Sequence, residues 1–325
     1  MLLRASFAEP AAQTAVSQSS EPQTRGRSAT KTQHSVLTQT PPDILQWIEE
    51  AKREAEHETK DGDIVAQTFG QKSSTDVYRQ LLIRNATEDV EPDFDAAWDM
   101  PLPLRIDKEK PAVLIYHTHT TEGFETLDRD WYAADKSSRT EDTTRNIARV
   151  GSAIAEELER AGFVVLHDTT VHDRQYTGAY DRSRQTVQGY LDRYPELVVT
   201  LDVHRDAIQQ NNGVHIKPVT EIGGKKAAQI MIIAGAEGGK ATEFPNWMAN
   251  LGFALHLQQA CEQTAPTIMR PIFFCHRKYN MDMTPCSLLV EFGSDANTLE
   301  EAVYAGRLFG KALAELLENY AEGRQ

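Results

Sequence analysis

The chain has 325 residues, 40% of them apolar, which allows one large domain or one domain with extensions. Its net charge of −14 argues against nonspecific nucleic-acid binding, which needs a basic footprint, and gives no attraction to an anionic membrane. The three cysteines, Cys261, Cys275 and Cys286, are odd in number, widely spaced and without a C-x-x-C pair. That argues against a disulfide framework and a cysteine zinc site and leaves a single disulfide open, with each thiol reading first as a small buried apolar side chain.

In chain order, residues 1–42 are rich in Ser, Thr, Gln, Ala and Pro and read as a disordered tail or linker. No run of about 18 apolar residues occurs, so no transmembrane helix is expected. The opening residues are too short for the apolar region of a secretory signal. The stretch 42–58 predicts a helix with an apolar stripe of Ile44, Leu45, Trp47, Ile48 and Ala51. It begins a helical or mixed lead-in over 43–109. That lead-in contains one strand at 77–83 and a Pro-rich connector at 92–103, and a domain boundary is expected near 105–110.

From 111, strands and helices alternate. Strands are predicted at 113–116, 163–166, 197–201, 228–234, 267–274 and 287–290. Helices are predicted at about 143–161, 179–193 and 245–263, and a long one from Leu299 to Leu317 closes the chain. Gly162 stands where a helix C-terminal glycine belongs, and Pro245 suits an early helical position. The pattern predicts an α/β domain over 110–325, with a mostly parallel or mixed central sheet and helices on both faces. No phosphate-binding G-x-x-x-x-G-K motif is present.

The unusual residues cluster at predicted strand ends, where open α/β sheets build their sites. His117-Thr118-His119-Thr120-Thr121-Glu122 follows the first strand. Asp202-Val203-His204-Arg205-Asp206 follows the third, Glu291 follows the last, and Tyr279-Asn280 lies in the loop before it. Side by side, such strands collect His119, His204 and Glu291 at one edge. Two imidazoles and a carboxylate suit a catalytic Zn²⁺ with an open position, served by a separate carboxylate as general base. Asp202 or Asp206 would hold the far nitrogen of a ligand histidine. Arg205 would either orient a substrate carboxylate or pair with Asp206. The structural alternative for Glu291 is an ion pair with an arginine such as Arg205. His34, His57, His215 and His256 read as ordinary surface or hydrogen-bonded residues. His167, His172 and His276 stay open, with His172-Asp173 a candidate border of the site.

Several stretches, in order, resemble the stage II sporulation protein P family. They are 114–122, 146–151, His172-Asp173 with Gly178-Ala179-Tyr180, 202–206, Asn246-Trp247 with Asn250-Leu251, Tyr279-Asn280, and 289–294 with 297–302. The resemblance covers about 110–320. It implies a peptidoglycan hydrolase similar in fold to zinc N-acetylmuramoyl-L-alanine amidases. Such an enzyme would cleave the amide between N-acetylmuramic acid and the stem peptide, with peptide cross-links as a further substrate. It implies His119, Glu122 and His204 as Zn²⁺ ligands, with Glu141 the alternative to Glu122, and Glu291 as the catalytic residue. His117 becomes a supporting or rim residue. Peptidoglycan is the implied partner, with an envelope protein as a second, and the implied location is extracytoplasmic. A non-catalytic peptidoglycan-binding module and a zinc peptidase acting on free peptides are the competing expectations.

Overall fold

The computed structural model describes residues 37–133 and 137–322. Helix α1 (Pro42–Glu54) begins with proline in its first turn, where the missing N–H costs no hydrogen bond, and buries Ile44 and Ala51. After β1 (Lys60–Gln67), the stretch expected as one strand is a hairpin of β2 (Asp76–Tyr78) and β3 (Leu81–Asn85). Its two turn residues, Arg79 and Gln80, both adopt positive φ, 47° and 70°, as a tight antiparallel turn requires. The Pro-rich connector holds a short helix, α2 (Phe94–Asp99), capped by the Asp93 side chain.

Strand β4 (Pro111–Tyr116) and the short β5 (Trp131–Ala133) precede α3 (Ile147–Arg160). The Asn146 side chain caps α3 by accepting from the Ala148 N–H. Gly162, at φ 86°, ends that helix in the left-handed region that favours glycine. Then follow β6 (Val164–His167), α4 (Ala179–Arg193), β7 (Val199–Asp206), β8 (His215–Ile222), β9 (Lys225–Ala228), β10 (Ile230–Gly235), α5 (Trp247–Thr264), β11 (Ile272–Cys275), β12 (Ser287–Ser294) and α6 (Leu299–Leu317). Thr298 and Glu301 cap α6 reciprocally.

Eight strands form the central sheet in the order β2-β3-β11-β10-β12-β7-β4-β6. It is mixed, with antiparallel pairing at β2–β3 and β10–β12 and parallel pairing elsewhere. Period-two alternation divides β4 between two cores. Val113 and Ile115 enter the large core with Ile147, Val150, Ile154 and Leu158 of α3 and with α5 and α6. Leu114 and Tyr116 face Val187 of α4 and Leu197 on the other side. Each fully buried aliphatic side chain here contributes about 1.5–3 kcal/mol. The expected α/β sheet with helices on both faces is thus the observed one.

Three expectations change. The segment 43–109 does not stand apart, because β3 pairs with β11 and α1 packs into the large core, so the described residues form one compact unit. The last residues of the expected tail are also engaged: Leu37 is buried and Lys225 Nζ donates to Thr40 Oγ1 at 2.7 Å. The rest of that tail, with His34, lies outside the described residues. A second sheet, β5-β1-β8-β9, was not expected.

Candidate functional site

Strand β4 stops at Tyr116, which pairs with Asp202, while the neighbouring β7 continues to Asp206 and β12 to Ser294. The result is a ledge. His204 and Glu291 therefore do not follow their strands, as expected, but lie inside them, directly paired in register. Strands this long are stable because every second residue stays in the core. Leu201, Val203, Val290 and Phe292 enter the large core, which leaves Asp202, His204 and Glu291 on the opposite, α4 face.

The chain leaving β4 folds into a tight turn above this ledge. The Glu122 N–H donates to the His119 carbonyl at 3.1 Å. Asp202 anchors the turn by accepting from the Thr118 N–H at 2.8 Å and the Thr118 hydroxyl at 2.6 Å. Glu122 is brought against β7, where its Oε2 accepts from the Arg205 N–H at 3.1 Å and lies 3.3 Å from His204 Nδ1. The other side of the His204 ring faces Asp202, with Nε2 at 2.8 Å from Oδ1 but outside hydrogen-bond alignment. The rings of His119 and His204 stand edge to face, centroids 5.3 Å apart. His119 Nδ1 is buried without a hydrogen-bond partner.

The charges follow from this arrangement. Burial pushes Glu122 up, but His204, Arg205 and His119 outweigh it and hold its carboxyl down at about 2. Burial pushes His204 down, but Asp202 and Glu122 overcome it and hold the imidazolium well above its usual range. His119 is lowered by burial and by His204. Glu291 is pushed up to about 8 by burial and by Asp206, against the pull of His204 and Arg270, and its Oε2 has no hydrogen-bond partner.

In metal-free protein Glu291 thus binds its proton more tightly folded than unfolded. Its contribution to stability is complete below about 4.5 and is lost as pH rises towards about 8. Stability of the metal-free protein is expected to fall across that window more steeply than in Glu291→Gln, by up to about 1.4 kcal/mol per pH unit. Urea unfolding of both proteins from pH 5 to 8 measures it, and identical slopes would contradict the assigned shift.

Among the described residues no group of three or more His, Cys, Asp or Glu side chains is placed to hold a metal ion. The donor chemistry nevertheless fits zinc. The 3.3 Å ion-pair contact between His204 Nδ1 and Glu122 Oε2 is also compatible with two ligands of one tetrahedral ion with bonds of about 2.0–2.1 Å. His119, whose ring centroid stands 5.3 Å from that of His204, has a buried nitrogen that makes no hydrogen bond.

The other expected residues divide. Asp202, rather than Asp206, contacts the far nitrogen of His204. Asp206 instead accepts from Arg270 Nη1 at 3.0 Å and raises Glu291. Arg205 is not available to a substrate, and it does not form the side-chain pair with Asp206. It is buried, and its guanidinium donates to the carbonyls of Gly123, Ser138 and Asp206. Glu141 is exposed and paired with Arg174 at 2.9 Å, whereas Glu122 is the carboxylate on His204.

His117 is not at the rim but fully buried, bonded through Nδ1 to the Val203 carbonyl and through Nε2 to His167, at 2.8 and 2.9 Å. Gly151 makes room for these rings, since a Cβ there would stand 2.6–2.7 Å from both Nε2 atoms. Tyr279 and Asn280 both take left-handed backbone, φ 41° and 59°. Tyr279 stacks on Tyr180 with centroids 4.9 Å apart, and Asn280 donates to the Tyr180 carbonyl and to Ser183 Oγ.

Sequence reasoning missed Arg139 and Tyr176, and gave Tyr180 no role. Tyr176 stacks parallel on His119 at 4.6 Å, and Tyr180 stands edge-on to it at 5.5 Å. Asp173, flagged only as a border, accepts from the Thr121 N–H and hydroxyl and from Arg139. Spacing carried no signal for Arg139 or Tyr176, because both lie in polar connections.

A family model described as Stage II sporulation protein P matches residues 9–314. The chain is 26% identical over 226 residues to the stage II sporulation protein P of Bacillus subtilis (strain 168), a match covering 66% of this chain and 53% of that protein. It therefore spans about half the length of that curated relative. Among solved structures it is similar to the CwlD amidase from Clostridioides difficile in complex with the GerS lipoprotein (TM-score 0.41, 11% identity, 64% of this chain and 99% of that one). It is also similar to the N-acetylmuramoyl-L-alanine amidase AmiC2 of Nostoc punctiforme (TM-score 0.37, 14% identity, 65% and 96%). A third is the amidase Ami1 from Mycobacterium smegmatis (TM-score 0.37, 10% identity, 66% and 100%).

Proposed function

Because the chain belongs to the stage II sporulation protein P family, we propose that it is a zinc-dependent peptidoglycan hydrolase of the cell envelope, acting outside the cytoplasm on the amide between N-acetylmuramic acid and the stem peptide. The observation that carries this reading is the ledge itself. A protonatable carboxylate, Glu291, lies in register beside His204, which in turn touches the ionised Glu122. His119, Glu122 and His204 would hold the metal. Bound there, zinc would supply Lewis-acid polarisation of the scissile carbonyl.

The chain's own residues do the rest. Asp202 orients the His204 ring, and the Arg205 N–H fixes one oxygen of Glu122. Glu291, with one oxygen unpartnered, takes a proton from the attacking water as its oxygen adds to the carbonyl carbon. It then gives that proton to the leaving nitrogen as the C–N bond breaks, yielding a carboxylate on the lactyl group and a free amine on the peptide. The tyrosines at the rim offer flat apolar faces to the substrate. An envelope protein partner is part of this reading through the family resemblance.

Mass spectrometry of digested cell walls tests the reading. Expected products are intact stem peptides and peptide-free glycan, with release stopped by a chelator and restored by zinc. Shortened peptides on intact muropeptides would identify a peptidase, and binding without any release would identify a non-catalytic wall-binding module.

A further inference from the structure

The buried Arg205 cannot meet a substrate, yet the site has another guanidinium at its open side. Arg139 lies in the connection between β5 and α3, with its side chain 37% exposed. Its Nη1 is engaged, donating to Asp173 Oδ2 at 2.7 Å and to Thr121 Oγ1 at 3.1 Å. Nε and Nη2 have no hydrogen-bond acceptor among the described residues; Glu122 Oε1 lies 3.6 Å from Nη2, too far for a hydrogen bond. These two nitrogens form the side-on edge of the guanidinium, the edge that grips a carboxylate through two parallel bonds.

The group is also held in place. Asp173, fully buried, clamps Nη1 and is itself fixed by the Thr121 N–H and hydroxyl. The guanidinium lies 5.4 Å from the ring centre of Tyr176, a residue that is 64% exposed and has its ring stacked on His119. An oriented cation whose Nε–Nη2 edge makes no hydrogen bond among the described residues, and faces Glu122 only in an ion pair at 3.6 Å, therefore borders the imidazole proposed to hold the metal. The protein carries a net charge of −14, and Glu122, Asp173, Asp202, Asp206 and Glu291 gather at this site, so an anionic substrate needs such a cation for its approach.

We propose that Arg139 is the specificity-determining residue of this site, receiving through Nε and Nη2 a carboxylate of the substrate's peptide portion while Tyr176 flanks the same group. This rests on the hydrolase reading above. It predicts that the enzyme distinguishes substrates that differ only in the charge of the peptide next to the scissile amide.

The test uses two purified muropeptides, identical except that the peptide carboxylate nearest the cleaved bond is free in one and amidated in the other. The wild-type protein is expected to prefer the free carboxylate by about 10- to 100-fold in kcat/KM, chiefly through KM, the range for a hydrogen bond to a charged group. Arg139→Gln should lose that preference by slowing only the free-carboxylate substrate. Arg139→Lys, which keeps the charge towards Asp173 but not the fork, should retain a smaller preference. Zinc content and thermal melting of both variants establish that the site remains assembled. Equal losses on the two substrates in Arg139→Gln, or no preference in the wild type, overturn the proposal and leave Arg139 a structural clamp on Asp173. Cleavage of neither muropeptide by the wild type counts against the hydrolase reading instead.

Discussion

Glu291→Gln is expected to stop muropeptide release while leaving the protein folded and its zinc bound. Glutamine has the size and shape of the carboxylic acid but cannot take a proton from water or return it to a leaving nitrogen. General acid–base catalysis of this kind is worth about 10²–10⁴-fold, and the drop should appear in kcat. Stability should not suffer. Glu291 Oε2 has no hydrogen-bond partner to lose, and glutamine, like the protonated acid, avoids the repulsion by Asp206 and Glu122 that an ionised side chain would meet. Release rates from purified cell walls, measured with metal content on the same preparation, check this. A variant as active as its parent would remove Glu291 from the chemistry, and one that lost its zinc would make it a ligand instead.

The second large effect separates the two histidines proposed as ligands. Both His119→Ala and His204→Ala should abolish stoichiometric zinc and activity. Only His204→Ala should also damage the metal-free fold. The His204 ring lies between Asp202 and Glu122, at 2.8 and 3.3 Å, and its positive charge compensates two buried carboxylates. Removing one partner of such a buried assembly costs about 3–5 kcal/mol, because the charges left behind remain out of water. His119 offers a contrast. Its Nδ1 has no hydrogen bond, its nearest carboxylate contact is Asp173 at 3.8 Å, and its ring rests on the exposed Tyr176. Its loss should therefore lower metal-free stability far less. Urea unfolding of the two variants after chelation measures the difference. Equal destabilisation would contradict the assignment of His204 as the charge that holds this ledge together.

Much of the fold was legible because its elements are apolar and periodic. Helix α4 (Ala179–Arg193) and helix α6 (Leu299–Leu317) fall where the sequence predicts them, and Gly162 ends α3 as expected. The second sheet was not legible for the opposite reason. Seven of the eight residues of β1 (Lys60–Gln67) stay partly or fully exposed, so no apolar alternation betrays a strand. The sequence predicts a single strand where the hairpin at 76–85 lies, because its turn, Arg79-Gln80, lacks the Asn-Gly or Asp-Gly pair that usually marks one.

The sequence by itself determined the parts list: an acidic α/β protein with His119, His204 and Glu291 near predicted strand ends, and with Glu122 or Glu141 and Asp202 or Asp206 as their companions. Local pattern suffices for that, because apolar periodicity and turn residues act over a few positions. Tertiary structure decided how those parts are used. The register of β7 with β12 set His204 beside Glu291, the overhang past β4 exposed them, and the turn at 117–122 swung Glu122 rather than Glu141 against β7. It also buried Arg205 on backbone carbonyls and left the Nε–Nη2 edge of Arg139 without a hydrogen bond among the described residues. Each of these depends on contacts between residues far apart in the chain, set by pairing and packing rather than by any short pattern.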